Sequence, residues 1–384
     1  MALSQLDAFL RTRKGLTEKG GTHWVVGNEA GDMDSVACAI GFAYLSVFVN
    51  PSGPQWIPVV QTNRADLALR PENLLALHQA GIDAGSLCCL DDVHGFGDES
   101  QVILVDHNQV SGIFEKAHVV GIIDHHWDEQ KHTNVPMRLI CSPEYASSCA
   151  SVLSLYFEPQ LPKSPPLVRA VADLLLSAIF LDTSGLSDEN DRTMKVDRMA
   201  ADFLIKHSSF TNKEARTAYF QQLATAKSDT SQLTINQKLR RDYKAFKAKG
   251  SGSSTWAIGT ASITEPLPAF LTDNVAEALT ELQCFATKRA LHLLFVLAGF
   301  VDAEGNSHRQ LLCFSPSAEH NAQALGEALG AYREQKVDLV PLGLNKPSQL
   351  PNVYYAAWEQ RDESVTRKQF IPIIQTLCAT MENK

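Results

Sequence analysis

The sequence predicts an α/β protein, with an N-terminal doubly wound, mainly parallel sheet and a smaller C-terminal α/β domain built on a mixed sheet. Three observations carry this. The runs at 101–105 and 118–123 are continuously apolar, as strands buried on both faces require. Helical patterns alternate with such runs up to about residue 205. Beyond residue 233, apolar strands at 291–301 and 309–314 flank a turn at 302–305, a hairpin that places antiparallel pairing in the second sheet. At 384 residues the chain exceeds one ordinary core. The expected division is 1–205 for the first domain, 206–232 for a helical linker without a broad apolar stripe, and 233–384 for the second domain.

Residues 1–20 read as a short helix and a glycine-containing lead-in. A strand at 23–27 precedes an acidic loop, and an almost wholly apolar helix at 35–49 follows, the pattern of a buried helix. Pro51 and Pro54 break it before a strand at 56–61. Pro71 opens the next helix and Gly81 stops it. After the strands at 101–105 and 118–123, Ser147 and Ser148 start a helix, and another runs from 167 to 182. The second domain reads as a helix at 234–247, a strand at 255–263, a helix at 266–287, the hairpin, a helix at 317–332, a strand at 352–358 and a final helix from 366.

A net charge of -9 argues against a general nucleic-acid binder. No apolar run reaches the ~20 residues that span a bilayer, and the N-terminus lacks a transit pattern. The eight cysteines form no C-x-x-C pair, as expected of reduced thiols in a cytoplasmic protein, with a mitochondrial fraction as the alternative.

The chemistry gathers where apolar segments stop on acids. The run at 118–123 ends on Asp124, His125 and His126. The strand at 23–27 leads to Asn28, Asp32 and Asp34; 101–105 ends on Asp106 and His107; 179–181 ends on Asp182. Alone, an Asp-x-Asp is most often a solvated turn. Together at the ends of one α/β unit, these groups would repel unless cations offset them. Mg²⁺ and Mn²⁺ favour carboxylate and imidazole ligands. Two such cations clamp a phosphoryl oxygen and turn bound water into a nucleophile.

In order, the segments G-N-x-x-x-D-M-D-S, V-D-H-N, G-I-I-D-H-H and L-D-T resemble the four motifs of the DHH phosphoesterase superfamily. Thr366-Arg367-Lys368-Gln369 and Asp242-Tyr243-Lys244 resemble the phosphate-binding segments of the second domain shared by family II inorganic pyrophosphatases, prune-type proteins and fungal cytosolic exopolyphosphatases. Gly305-Asn306-Ser307-His308-Arg309 resembles a segment of the yeast-type exopolyphosphatase, the nearest match overall. The resemblance implies two divalent cations, Mg²⁺ or Mn²⁺ with Co²⁺ as a substitute, on Asp32, Asp34, Asp106 and Asp182, with Asp106 bridging. It implies His125 and His126 facing the phosphate, with Asn28, His107 and Asp124 supporting them. It implies Lys244, His308, Arg309, Arg367 and Lys368 gripping phosphates from the second domain. Pyrophosphatases of the bacterial type carry His and Pro where this chain has Asn28 and Gly31, so one imidazole ligand is missing.

The expected activity is release of the terminal phosphate of linear inorganic polyphosphate by a two-metal-activated hydroxide, in a monomer without nucleic-acid or membrane partners. The alternatives are an inorganic pyrophosphatase, a prune-type short-chain phosphohydrolase or cyclic-nucleotide phosphodiesterase, and a non-catalytic binding protein.

Overall fold

The computed structural model describes residues 4–20, 22–94, 96–97, 99–161, 167–187, 193–272, 274–317, 320–332, 337–343, 353–363 and 365–381. The chain divides into two compact units, Met1–Asp229 and Thr230–Lys384.

In the first unit Ser4 caps α1 (Gln5–Lys14), its side chain accepting from the Asp7 N–H. β1 (His23–Val26) and α2 (Met33–Val49) follow, then β2 (Ile57–Val60), α3 (Pro71–Gln79), the two-residue β3 (Cys88–Cys89), β4 (Gln101–Val105), β5 (His118–Asp124) and β6 (Met137–Ile140). The helices α4 (Cys149–Phe157), α5 (Arg169–Asp182), α6 (Lys195–Ile205) and α7 (Lys213–Ser228) complete the unit. The sheet order is β3-β2-β1-β4-β5-β6, and every pair is parallel. This is the doubly wound order the sequence predicts. The helices gather on one face, against Val25, Ile103, Val105 and Ile123. The other face, with Trp24, Val102 and Leu104, is covered by short turns around Leu90, Phe96 and Phe114.

The β4–β5 ladder slips by one residue, because Val102 faces Val119 and Ile103 faces Gly121. Gly121 allows the close passage: a Cβ there would meet Met137 Cε at 2.5 Å and Ile103 Cδ1 at 2.6 Å. The slip sets Val105 beside Ile123, so Asp106 and Asp124 leave the sheet together.

Of the segment expected as a linker, residues 206–229 fold into the first unit. α7 packs on α3 and α5, with Tyr219 and Leu223 buried in the main core. Two buried positions in a 16-residue helix give too narrow a stripe for the sequence pattern to reveal.

The second unit runs α8 (Ile235–Arg241), β7 (Tyr243–Lys249), β8 (Thr255–Ile263), α9 (Leu267–Leu271), α10 (Val275–Lys288), β9 (Leu293–Val301), β10 (Ser307–Ser315), α11 (His320–Ala331), β11 (Leu339–Pro341), β12 (Tyr354–Gln360) and α12 (Arg367–Ala379). Its sheet is mixed, ordered β11-β12-β10-β9-β8-β7, with β8 and β9 parallel and the other pairs antiparallel. The helix expected over 234–247 is short, because its second half is strand β7 on the sheet edge. The helix expected over 266–287 is two, parted near Thr272 at φ 60°.

Candidate metal centre

β1 and β4 are neighbours, and the chain leaves them toward opposite sides of the sheet, to β2 and to β5. That reversal opens a crevice at the carboxyl ends of the strands. The residues following β1, β4 and β5 enter it, and the end of α5 brings Asp182 into the electrostatic field of Asp32, Asp34 and Asp106.

Asp106 has φ 64°, a left-handed conformation uncommon outside glycine, and is 2% exposed. Its Oδ2 accepts from Asn28 Nδ2 at 2.7 Å and from Ser35 Oγ at 2.8 Å. Its buried Oδ1 has no hydrogen-bond donor among the described residues and lies 3.2 Å from His125 Nε2 and 3.7 Å from His126 Nδ1. Ligand atoms of Asp106, His125 and His126 all lie within 4.8 Å of one another.

Asp32 and Asp34 do not share a loop. Asp32 caps α2, accepting from the Ser35 N–H at 3.1 Å, and Asp34 stands in the first helical turn. The preceding Gly31 has φ 56°, which proline's fixed negative φ excludes. Asp34 is buried against the start of α4. The N–H of Cys149 donates to its Oδ2 at 2.6 Å, and the Ala150 N–H and Ser148 Oγ donate to its Oδ1 at 2.8 and 2.9 Å. Its Oδ2 is 3.7 Å from His125 Nε2.

Asp124 is wholly buried. It accepts from Asn108 Nδ2 at 2.5 Å, from the main-chain N–H groups of His125 and His126 at 2.8 and 3.2 Å, and from His126 Nδ1 at 2.8 Å. Burial opposes its ionisation, but the bonds from His126 and Asn108 outweigh this and lower its pKa. The same Asp124 bond raises the pKa of His126. Asp124 therefore orients one imidazole directly, while the ring of His125 lies with Nδ1 3.3 Å from the Ala146 carbonyl. His107 turns Nδ1 to its own strand's Val105 carbonyl at 2.9 Å. It makes no bond to a site carboxylate among the described residues, and burial holds its pKa down.

Burial pushes the carboxyls of Asp34, Asp106 and Asp182 upward, and the neighbouring aspartates push the same way. Asp182 also ends a helix, at the negative pole of its dipole, and its Oδ2 is buried without a donor among the described residues. Orphaned carboxylate oxygens beside imidazoles are the donor set a divalent cation satisfies. A second acidic group, Cys89, Asp91 and Asp92, differs: Asp92 pairs with Arg64 at 2.5 Å and Lys14 at 3.3 Å, leaving no such deficit.

The expected phosphate grips all lie in the second unit. Lys244 is exposed on edge strand β7. Arg367 donates to the Asp242 carbonyl at 3.0 Å and to Asp242 Oδ1 at 2.7 Å, which ties α12 to the start of that strand. His308 does not stand free: its Nε2 is 2.9 Å from Asp302 Oδ2, its Nδ1 is 3.5 Å from Glu359 Oε1, and its ring stacks on Phe300. Its charge is met within its own unit, by the hairpin turn and by β12. Arg309 Nε donates to the Glu363 carbonyl at 2.6 Å. The side chain of Lys368 lies outside the described residues. Sequence reasoning misses Ser35 and Asn108; it reads Ser147 and Ser148 as a helix cap or an anion site at the helix start, and the 148–150 donors in fact hold Asp34. Ser35 carries a weak signal, standing three residues after a capping Asp.

Fold and acidic crevice fit a metal-dependent hydrolase, and the family models and relatives make it a metal-dependent phosphoanhydride hydrolase. The family models agree: residues 23–179 match the DHH family, N-terminal domain, and residues 221–377 match the DHHA2 domain. The chain therefore carries a DHH-family N-terminal domain followed by a DHHA2 domain. It is 28% identical to Exopolyphosphatase PRUNE1 of Mus musculus, over 96% of this chain and 78% of that one. It is 26% identical to the manganese-dependent inorganic pyrophosphatase of Methanocaldococcus jannaschii, over 63% of this chain and 73% of that one. The crystal structure of a Methanococcus jannaschii protein classed with the family II inorganic pyrophosphatases shares the fold, with a TM-score of 0.55 at 20% identity, covering 93% of this chain and 99% of that one. No described helix is long and apolar enough to cross a membrane.

Proposed function

We propose that the protein is an exopolyphosphatase, releasing orthophosphate from the end of linear inorganic polyphosphate. The observation that carries this is the crevice itself: among the described residues, Asp106 Oδ1 is buried without a donor beside the imidazoles of His125 and His126, and Asp182 Oδ2 is buried without a donor in the field of Asp32, Asp34 and Asp106. This reading places two divalent cations, Mg²⁺ or Mn²⁺, on Asp32, Asp34, Asp106 and Asp182, with Asp106 shared between them. Bound cations would supply Lewis acidity toward a phosphoryl oxygen and lower the pKa of coordinated water.

The chain's own residues do the rest. Asn28 and Ser35 hold Asp106 by one oxygen and leave the other to the crevice. Asp124 fixes His126 through Nδ1 and favours its cationic form, in which Nε2 would be a donor for a phosphate oxygen. His125 Nε2 faces the crevice between Asp34 and Asp106. Lys244, Arg309, Arg367 and Lys368 would bind successive phosphates as charge-assisted donors. Asn28 directs its amide N–H to Asp106 and so presents no imidazole ligand, which favours this reading over a dedicated pyrophosphatase.

The test is orthophosphate release from pyrophosphate, tripolyphosphate and long-chain polyphosphate in Mg²⁺ or Mn²⁺. The proposal expects turnover of the longer substrates to exceed that of pyrophosphate. Rapid pyrophosphate turnover with inert long chains would transfer the assignment to pyrophosphatase.

A further inference from the structure

Four of the five consecutive residues 146–150 contact a histidine or a carboxylate of the crevice. The Ala146 carbonyl lies 3.3 Å from His125 Nδ1. Ser148 Oγ, the Cys149 N–H and the Ala150 N–H all donate to Asp34, at 2.9, 2.6 and 2.8 Å. The residue between, Ser147, faces the other way: its N–H lies 3.2 and 3.0 Å from the two carboxylate oxygens of Asp197. Asp197 is wholly buried, stands in the first turn of α6, and also accepts from the Met194 N–H at 2.9 Å. No crevice residue bonds to Asp197 among the described residues, so its influence there runs through the turn.

We infer that residues 146–150 form a keystone that sets the geometry of Asp34 and His125, with Ser148 and Asp197 as positioning residues for cation binding. The physical reason is directional. Three donors from one helix start fix the Asp34 carboxylate in a single rotamer. Its Oδ1 also lies 3.5 Å from Cys38 Sγ, so that oxygen is filled from within the protein, while Oδ2 has one donor and faces His125. Asp197 holds the turn at its midpoint, so Ala146 and Ser148 keep a fixed separation. Groups that orient ligands in this way typically matter ten- to hundredfold for metal affinity. The α4 start thus uses its N–H groups on a protein carboxylate, leaving no vacant anion site at Cys149 or Ala150.

This rests on the reading of Asp34 as a cation ligand, and the experiment separates the two. Mn²⁺ is titrated calorimetrically into the metal-stripped full-length chain, as wild type, Ser148→Ala, Ser148→Thr and Asp197→Asn. Melting temperatures are measured in chelator alongside. Wild type taking up no Mn²⁺ would sink the metal-centre reading itself. If wild type binds, Ser148→Ala should weaken affinity about tenfold, Ser148→Thr should recover most of it, and Asp197→Asn should weaken it while melting as a folded protein. Affinities within twofold of wild type in folded Ser148→Ala and Asp197→Asn would overturn the inference. A lowered melting temperature with unchanged affinity would do the same, showing a merely structural turn. If Asp197→Asn does not fold, the Ser148 pair decides.

Discussion

Replacing Asp106 by Asn should abolish activity while making the metal-free protein more stable. The amide oxygen can keep the bonds from Asn28 and Ser35, so the shape of the site survives. What disappears is a buried charge. Asp34 Oδ2 and Asp106 Oδ1 lie 3.7 and 3.2 Å from the same His125 Nε2, which bounds their separation at about 7 Å. At that distance and an effective dielectric of ~20, two unit charges repel by about 2.4 kcal/mol, a relief read at a pH high enough to keep His126 neutral, since a cationic His126 3.7 Å from Asp106 would offset it. Relief of about 2 kcal/mol corresponds to a rise of roughly 5 °C in melting temperature for a unit of this size. Cation should reverse the order. Wild type gains about 2.7 kcal/mol at a hundredfold excess over Kd, and the variant, lacking a ligand, gains far less. Groups behind a ligand already cost ten- to hundredfold, so losing Asp106 itself should lower phosphate release by about 100-fold or more. Thermal melts in chelator and in Mg²⁺, with phosphate release from tripolyphosphate, read all three effects. A variant that melts below wild type in chelator, or retains a tenth of the activity, would refute the reasoning.

Three further outcomes are expected. Leu223→Ala should cost about 2–4 kcal/mol, as for a large-to-small change in a core, because Leu223 is fully buried with the first unit; a loss under ~0.5 kcal/mol in urea unfolding would restore α7 to a linker. Burial raises the phenol pKa of Tyr219 above its ordinary value of 10, although its bond to Ser177 Oγ at 2.9 Å works the other way. The folded chain therefore keeps this proton above pH 10 where the unfolded chain releases it, so the contribution is intact below pH 10 and lost as pH rises further. Tyr219→Phe should cost about 1 kcal/mol at pH 7 and flatten the decline above pH 10, and equal slopes in unfolding at pH 9 to 11 would contradict this. Lys244→Ala should raise KM for tripolyphosphate about tenfold, the equivalent of one charge-assisted bond, with an unchanged melting temperature; His308→Ala, whose ring faces Asp302 and Glu359, should leave KM within twofold, and the opposite ranking would reinstate His308 as the phosphate grip.

The central strands were legible because each is an apolar run wherever both faces are covered, as Trp24, Val25 and Val26 are. The acids were legible because they follow those runs directly. Edge strands were not. Met137–Ile140 is only partly buried along its length, and Tyr243–Lys249 carries three lysines, a composition that protects an edge and hides the strand. Within the site, the Asp-x-Asp spacing gave proximity but not the capping of α2 by Asp32, which depends on where the helix begins. The support of Asp34 by Ser148, Cys149 and Ala150 spans 114 to 116 residues of chain. No local pattern encodes a partner that distant. Likewise Glu359 beside His308 becomes visible only when β10 pairs with β12.

The claim that this centre removes phosphates one at a time from a chain end is tested most directly by ³¹P NMR of a long polyphosphate incubated with the full-length protein and Mg²⁺. The account predicts growing orthophosphate with a constant terminal-phosphate signal, since each cleavage replaces one end by another. A rising terminal signal without orthophosphate would show internal cleavage, and an unchanged chain beside rapidly hydrolysed pyrophosphate would contradict the account outright.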